Sequence, residues 1–173
     1  MIFKQDEDIL VCNVNELKLL GTHNYENVMA AVAMAAAYGT PMEIIRRTIK
    51  EFAGVEHRIE FVREKDGVAY YNDSKGTNPD AAIKGIQAMN RPTVLIGGGY
   101  DKDSEYEEWI QAFDGKVKLL VLVGATKEKI AKAAERVGFV SYVMADSFEE
   151  AVEKCIEAAK SGDAVLLSPA CAS

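Results

Sequence analysis

The sequence lacks the residues and runs that metal centres, disulfide frameworks and membrane spans require. Its three cysteines, Cys12, Cys155 and Cys171, have no metal-ligand spacing, and its two histidines have no second ligand nearby. The longest apolar runs fall well short of the roughly 18 residues that cross a bilayer, and acidic residues stand near the amino terminus, where a signal peptide carries basic ones. We therefore expect a cytoplasmic protein with reduced thiols, no metal site and no membrane segment.

Positive charge is also scarce. The chain has 20 basic against 27 acidic residues, which gives a net charge of −7. This balance offers no electrostatic footprint for nucleic acid or for an acidic membrane surface. No G-x-x-x-x-G-K-[ST] phosphate loop occurs in the sequence. Any cationic binding site must therefore be local and built from a few side chains.

The larger part of the chain, residues 55–173, shows a regular alternation. Short apolar runs rich in β-branched residues alternate with helical patterns that begin at caps and end at glycines. This pattern predicts an α/β fold in which a mostly parallel sheet carries helices on both faces, a Rossmann-like domain.

Residues 1–54 have a different pattern. Two short strands at 8–12 and 17–20 are predicted to precede an alanine-rich helix at 26–38, and a capping box at Thr40 to open a second helix. The alanine-rich helix is apolar on nearly every face, so it should be buried on several sides. Because so short a region cannot enclose it, residues 1–54 are predicted to be an incomplete part of a separate domain.

Polar loops follow four of the predicted parallel strands, at 72–78, 97–102, 124–126 and 168–173. Loops that follow parallel strands lie at the same edge of a sheet, where open α/β sheets bind ligands. The glycine triplet 97–99 is expected to bring backbone amides close to a ligand, while Lys75 and Lys102 supply positive charge. This crevice suits a carboxylate or phosphate, unless these are ordinary turns and solvated lysines.

Other candidates are weaker on sequence grounds. Arg58 either reaches a ligand held between two domains or forms a surface ion pair, and the sequence favours neither. His23 precedes a helix, where it is more typical of backbone hydrogen bonding than of a metal ligand. The serines at 74, 168 and 173 have no nearby histidine or nucleophile-elbow pattern, which argues against a hydrolase triad.

Five motifs together resemble the bacterial Mur ligases. They are Gly-Thr-His-Asn-Tyr-Glu-Asn at 21–27, His-Arg-Ile-Glu at 57–60, Tyr-Asn-Asp-Ser-Lys-Gly-Thr-Asn-Pro at 71–79, Gly97-Gly98 through Lys102, and Leu-Ser-Pro-Ala-Cys-Ala-Ser at 167–173. The third motif is similar to that of the family member that adds D-glutamate. The resemblance implies a three-domain cytoplasmic ligase, in which ATP and Mg²⁺ activate the carboxyl group of UDP-N-acetylmuramoyl-L-alanine for attack by D-glutamate.

The resemblance also implies a domain assignment and site residues. Residues 1–54 match the end of the central ATP-binding domain, and residues 55–173 match most of the C-terminal ligase domain. By motif position, the expected D-glutamate contacts are Lys75, Thr77, Lys102 and Ser173, and the expected ATP contacts are Asn27, Arg58 and Asp73. No catalytic residue and no metal ligand is expected in this chain.

The departures from the family pattern matter as well. The phosphate loop, the magnesium ligands, the carbamylated lysine and a segment beyond residue 173 have no counterpart here. ATP and Mg²⁺ are thus expected to be bound mainly by residues outside this chain, which should be inactive alone, and the parent enzyme is expected to be a monomer. Two alternatives remain: a related Mur-type or folylpolyglutamate-type ligase, and a non-catalytic Rossmann-like binding module.

Overall fold

The computed structural model describes residues 2–4 and 7–172. The chain divides into two compact units, Met1–Gly54 and Val55–Ser173. In the described part, no helix is both long and apolar enough to span a bilayer. The two units are described separately below.

The first unit contains a hairpin, a short 3-10 turn and two helices. Its elements are β1 Ile2–Lys4, β2 Glu7–Ile9, the 3-10 turn Val14–Glu16, α1 Thr22–Ala37 and α2 Met42–Glu51. The strand predicted at 17–20 is absent from this described stretch, and the hairpin pairs β1 with β2. The turn at Val14–Glu16 takes the place of a strand connection because Asn13 and Glu16 cap it reciprocally.

Two predictions for the helices are wrong. Pro41, in an extended conformation with ψ of 135°, is the residue before α2, so Thr40 lies one position too early to cap the helix. The alanine-rich α1 is largely exposed, and Val32 is its buried residue. The physical reason is that α2 is the helix of this unit that packs against α1, and it covers one face of α1 only.

The second unit is a six-stranded sheet with the order β3-β4-β8-β5-β6-β7. The strands are β3 Glu60–Lys65, β4 Val68–Asn72, β5 Thr93–Gly97, β6 Val117–Leu122, β7 Tyr142–Met144 and β8 Ala164–Leu167. The hairpin of β3 and β4 is antiparallel, with Asp66 and Gly67 both at positive φ in its turn, and every other pairing is parallel. β8 lies between β4 and β5, which places its carboxyl end at the centre of the predicted crevice.

Helices cover both faces of the sheet, which confirms the predicted fold class. The helices are α3 Pro79–Ala88, α4 Glu107–Gln111, α5 Lys127–Arg136 and α6 Phe148–Ala158. On one face α6 packs over β5 and β6, where Cys155 is buried among the valines of the central strands. On the other face Trp109 of α4 lies against Gly97 and Leu120, in an edge-to-face aromatic cluster with Tyr106 and Phe113.

Candidate functional site

The loops after β4, β5, β6 and β8 meet at one edge of the sheet, as predicted. Backbone hydrogen bonds join them into one rim: Ala170 N to Gly76 O (2.9 Å), Gly98 N to Pro169 O (2.8 Å), Tyr100 N to Ala172 O (2.8 Å) and Thr126 N to Gly99 O (3.1 Å). The segment 168–172 forms three of these bonds and is therefore the central element of the rim. A displacement of this segment would change the positions of its neighbours on both sides.

Asp73 is buried at the base of this rim and bonds in two directions. Its Oδ2 accepts a hydrogen bond from the Ser168 hydroxyl at 2.7 Å, and its Oδ1 accepts one from the Ile59 backbone at 3.2 Å. Gly76 and Gly85 leave the space that this carboxylate fills, because a Cβ at either position would come within 2.8 Å of Asp73 Oδ2. Asp73 thereby connects the start of β3, the loop after β4 and the segment after β8.

The electrostatic environment of Asp73 has opposing contributions. Burial raises the pKa of Asp73 above its usual value, while the bonds from Ser168 and Ile59 and the charge of Arg58 partly offset that rise. Ile59 itself has a φ of 47°, a left-handed conformation that is costly for a β-branched residue. The bond to Asp73 therefore holds a strained residue directly beside Arg58.

The structure corrects the expected role of the glycine triplet 97–99. The backbone N–H groups of Gly98, Gly99 and Tyr100 all donate within the protein. Their acceptors are, in order, Pro169 O, the Thr126 hydroxyl and Ala172 O. A Cβ at Gly98 would lie 2.1 Å from Val123 O. These glycines are needed because neighbouring loops approach the backbone closely, and their amides are not left for a ligand.

The loop after β4 also uses most of its own amides. Ser74, Lys75, Gly76 and Thr77 all donate their backbone N–H groups to acceptors in this unit. Asn78 caps α3, with its Oδ1 accepting from Ala81 N at 2.9 Å. An anionic ligand at this rim must consequently be bound mainly by side chains rather than by backbone amides.

Three of the predicted D-glutamate contacts are available for that purpose. Lys75 and Thr77 lie on the loop after β4 and Lys102 on the loop after β5, and all three are exposed. Their side chains form no hydrogen bond or ion pair within residues 7–172. Ser173, the fourth, lies outside the described residues. The structure thus places two uncompensated ammonium groups and a hydroxyl group along one edge.

A sequence profile of the Mur ligase glutamate ligase domain matches residues 57–171. The chain belongs to the Mur ligase family. The resemblance inferred from the five motifs is confirmed, and the rim described above, apart from Ala172, lies within the matched Mur ligase region.

Relatives match this Mur ligase chain along nearly its whole length. The UDP-N-acetylmuramoylalanine–D-glutamate ligase of Lachnoclostridium phytofermentans is 60% identical over 174 residues, covering 100% of this chain and 38% of that protein. The protein of the same name from Lachnospira eligens is 59% identical, covering 97% of this chain and 37% of that protein. The chain therefore spans less than two fifths of the length of these relatives.

Solved structures of a UDP-N-acetylmuramate–alanine ligase and of a folylpolyglutamate synthase share the fold. The UDP-N-acetylmuramate–alanine ligase of Thermotoga maritima aligns with a TM-score of 0.71 at 20% identity, covering 89% of this chain and 36% of that one. The folylpolyglutamate synthase of Mycobacterium tuberculosis, complexed with ADP and AMPPCP, aligns with a TM-score of 0.67 at 18% identity, covering 89% and 39%. At these identities the likeness shows a common architecture.

The predicted ATP contacts of this Mur ligase chain are placed in different environments. Asn27 is exposed on α1 in the first unit, and Arg58 is exposed at the start of the second. Asp73 has both carboxylate oxygens bonded within the protein. Within the described residues there is no group of three or more histidine, cysteine or acidic side chains that could hold a metal ion. Arg58 and Asn27 are thus accessible to solvent, and their assignment to ATP stays a prediction.

A further network was not predicted. The Cys171 sulfur lies 3.2 Å from the Tyr106 hydroxyl and 3.3 Å from the Thr126 hydroxyl. The side chain of Thr126 therefore makes no cap for α5, because it bonds to Gly99 and Cys171 instead. Burial, followed by the contact with Cys171, raises the pKa of Tyr106. These partners are 45 and 65 residues apart, so local sequence patterns could not reveal them.

Proposed function

We propose that this chain supplies the D-glutamate-binding part of an ATP-dependent ligase. That ligase would join D-glutamate to UDP-N-acetylmuramoyl-L-alanine during the synthesis of peptidoglycan precursors in the cytoplasm. The observation that carries the proposal is the set of unpartnered Lys75, Thr77 and Lys102 at one edge of the sheet. The names of relatives at 59–60% identity support D-glutamate as the substrate.

The chemistry of D-glutamate matches the side chains on this rim. The amino acid carries two carboxylates, and an ammonium group is a favourable partner for each. Lys75 and Lys102 lie on loops on either side of the segment that follows β8, so they can bind a ligand from two sides. The hydroxyl group of Thr77 is proposed to donate a hydrogen bond to a carboxylate of D-glutamate, and the hydroxyl group of Ser173 is proposed as a second donor. The amine of D-glutamate is then free of cationic partners and available as a nucleophile.

The fixed backbone beneath these side chains contributes orientation. Loop-to-loop hydrogen bonds and the buried Asp73–Ser168 pair hold the rim in one arrangement before a ligand arrives. Preorganisation of this kind lowers the entropic cost of placing an amine against a reactive carboxyl group. We propose that positioning is the main contribution of this chain to the reaction.

The nucleotide is proposed to contact this chain at a few points only. ATP with Mg²⁺ supplies the phosphoryl group that activates the acceptor carboxyl. Arg58 and Asn27 expose groups that suit a nucleotide, and Asp73 is proposed to act by holding Ile59 beside Arg58. Because no phosphate loop occurs in this sequence, most of the nucleotide site is proposed to lie in a part of the enzyme outside this chain.

The domain assignment belongs to the same proposal. Residues 1–54 are proposed to be the end of a central ATP-binding domain, and residues 55–173 to be most of the C-terminal domain of a monomeric enzyme. Exposed apolar side chains on α1 and directly after it support this, since Met34 is 68% and Tyr38 92% exposed. Apolar surface of this kind is normally covered by other parts of a protein.

The test is amino-acid-dependent ligation by the longest product of the gene that encodes this chain. We expect phosphate release from ATP that requires both UDP-N-acetylmuramoyl-L-alanine and D-glutamate, with formation of the amide product detected by mass spectrometry. L-Glutamate serves as the matched control. Turnover with a reduced folate and L-glutamate would instead establish a folylpolyglutamate-type ligase, and an absence of turnover with any pair would favour a binding module. This chain alone is expected to show no ATP hydrolysis.

A further inference from the structure

Lys102 lies at the tip of a tight turn between two carboxylates. The backbone N–H of Asp103 donates to Asp101 Oδ1 at 2.9 Å, which closes the turn around Lys102. Asp103 has a φ of 61°, a left-handed conformation that aspartate tolerates better than most residues. The turn therefore places two negative charges directly beside the lysine that is proposed to bind a dicarboxylate.

A second lysine approaches this turn from α5. Lys129 Nζ lies 3.3 and 3.2 Å from the two carboxylate oxygens of Asp101 and 3.8 Å from Asp103 Oδ1. The same ammonium group lies 5.8 Å from the centre of the buried Tyr106 ring, which fixes its approach to the turn. Although partial desolvation lowers it, the pKa of Lys129 is raised overall by the neighbouring carboxylates, with Asp101 the largest contributor. Lys129 is thus paired, whereas Lys102 has no such partner within residues 7–172.

We propose that Lys129 is a positioning residue for D-glutamate, and that it acts by neutralising Asp101 and Asp103. The inference rests on the proposed function, because it concerns the charge that Lys102 presents to that substrate. With Lys129 in place, the charges of Asp101, Asp103, Lys102 and Lys129 sum to zero. Both carboxylates form ion pairs with the ammonium group of Lys129 on α5. Without Lys129, the turn would carry a net negative charge and repel a dicarboxylate.

The test compares charge variants in the longest gene product, with the KM for D-glutamate as the readout. Lys129→Met is expected to raise this KM about tenfold at low ionic strength, because the carboxylates of the two residues that flank Lys102 would lose their cationic partner. The turnover number should change by less than about threefold, since no reacting atom is touched. The increase should shrink toward about threefold in 0.5 M salt, where the Debye length falls to roughly 4 Å.

Three matched variants separate charge from structure. Lys132→Met removes the same charge from an exposed position on the same helix and should leave the KM within about twofold. Lys129→Arg keeps the charge and should remain within about threefold of the parent. Lys129→Met combined with Asp101→Asn and Asp103→Asn should restore the KM to within about threefold, because asparagine keeps the turn but removes the repulsion.

Two outcomes would overturn the inference alone. The first is a Lys129→Met enzyme with an unchanged KM for D-glutamate. The second is a triple variant as impaired as Lys129→Met, which would show that Lys129 tethers the turn rather than masking its charge. An enzyme whose activity does not depend on D-glutamate at all would instead overturn the proposed function, and this inference with it.

Discussion

Cationic side chains at the two ends of the sheet have opposite environments. At the end where the parallel strands begin, three of them have partners. Lys118 Nζ lies 2.5 Å from Asp163 Oδ2, and Arg91 Nη2 lies 3.0 Å from Glu64. Lys116 donates to two backbone carbonyls at the end of α3. These groups are arranged so that the protein satisfies its own charges.

At the end where the parallel strands finish, Lys75 and Lys102 have no partner within residues 7–172, although Asp73 is buried nearby in sequence. The acidic groups of this edge bond to hydroxyls, to backbone amides or to Lys129 instead. The comparison teaches that one end of the sheet contributes stability and the other retains positive charge for a ligand. The predictions below test that division.

The largest expected effect is that of Lys102→Ala at the ligand end. Loss of a charged hydrogen bond should cost about 2 kcal/mol of D-glutamate binding, or roughly 30-fold in the KM of the longest gene product. The free energy of unfolding should change by less than about 0.5 kcal/mol, because the side chain is exposed and forms no hydrogen bond or ion pair within residues 7–172. Steady-state kinetics and urea unfolding measure the two quantities. An unchanged KM would remove Lys102 from the site.

Lys118→Met should show the reverse pattern. It leaves the carboxylate of Asp163, a largely buried residue, without its ammonium partner, so unfolding should become easier by about 1.5 kcal/mol while the KM for D-glutamate stays within about twofold. Lys154→Met is the matched control, since Lys154 pairs with Glu150 one turn away on the surface of α6, where an ion pair contributes little to stability. Equal effects for the two variants would contradict the division.

Local patterns predicted the elements well where the determinants are adjacent in sequence. Asn78 caps α3 and Ser147 caps α6, and such caps are visible in a sequence because each bonds only three residues ahead. The topology rule then placed four loops at one edge. The α1 helix was misjudged because burial depends on what lies beside a helix, and composition does not contain that information.

The sequence allowed the cationic residues of the site to be predicted, but not the hydrogen bonds that hold its loops together. Lys75 and Lys102 stand out because they follow strand ends, whereas the Asp73–Ser168 bond joins residues 95 positions apart. The amides of the glycine triplet were assigned to a ligand because their acceptors, such as Pro169, are also far away in sequence. A mid-helix glycine, Gly85, was a visible signal of close packing, since helices rarely favour glycine without a reason.

Gly85→Ala tests whether the ligand end also has a structural component. In an ordinary helix this change stabilises by about 0.5–1 kcal/mol, but here the new Cβ would lie 2.7 Å from Asp73 Oδ2 and 3.1 Å from Ser168 Oγ. We expect a net loss of about 1 kcal/mol in unfolding free energy. Gln87→Ala, at an exposed position of the same helix, is the control and should be nearly neutral. A stabilised Gly85→Ala protein would mean that the Asp73–Ser168 pair adjusts freely.

The smallest effect is a difference in pH dependence between the two ends, seen in Asp73 and Asp163. Burial raises the folded-state pKa of Asp73 above 3.8, so its ionisation opposes folding as the pH rises through that window. Burial also tends to raise the pKa of Asp163, but the hydrogen bonds from the Lys118 ammonium and the Lys160 backbone amide outweigh burial. The pKa of Asp163 is therefore lowered below 3.8. The stability that Asp163 contributes is therefore present above pH 3.8 and lost as the pH falls through the folded-state pKa.

Asparagine variants of the two residues should change the pH dependence of stability in opposite directions. Relative to the parent, Asp73→Asn should gain stability as the pH rises above 3.8, because it removes the buried charge and keeps an acceptor for Ile59. Asp163→Asn should be less stable than the parent at neutral pH, with the deficit shrinking below pH 3.8. Urea midpoints between pH 3 and pH 7 measure both differences. Slopes of the same sign would show that Asp73 is stabilised by charge like Asp163, and that the two ends of the sheet do not differ in the way proposed.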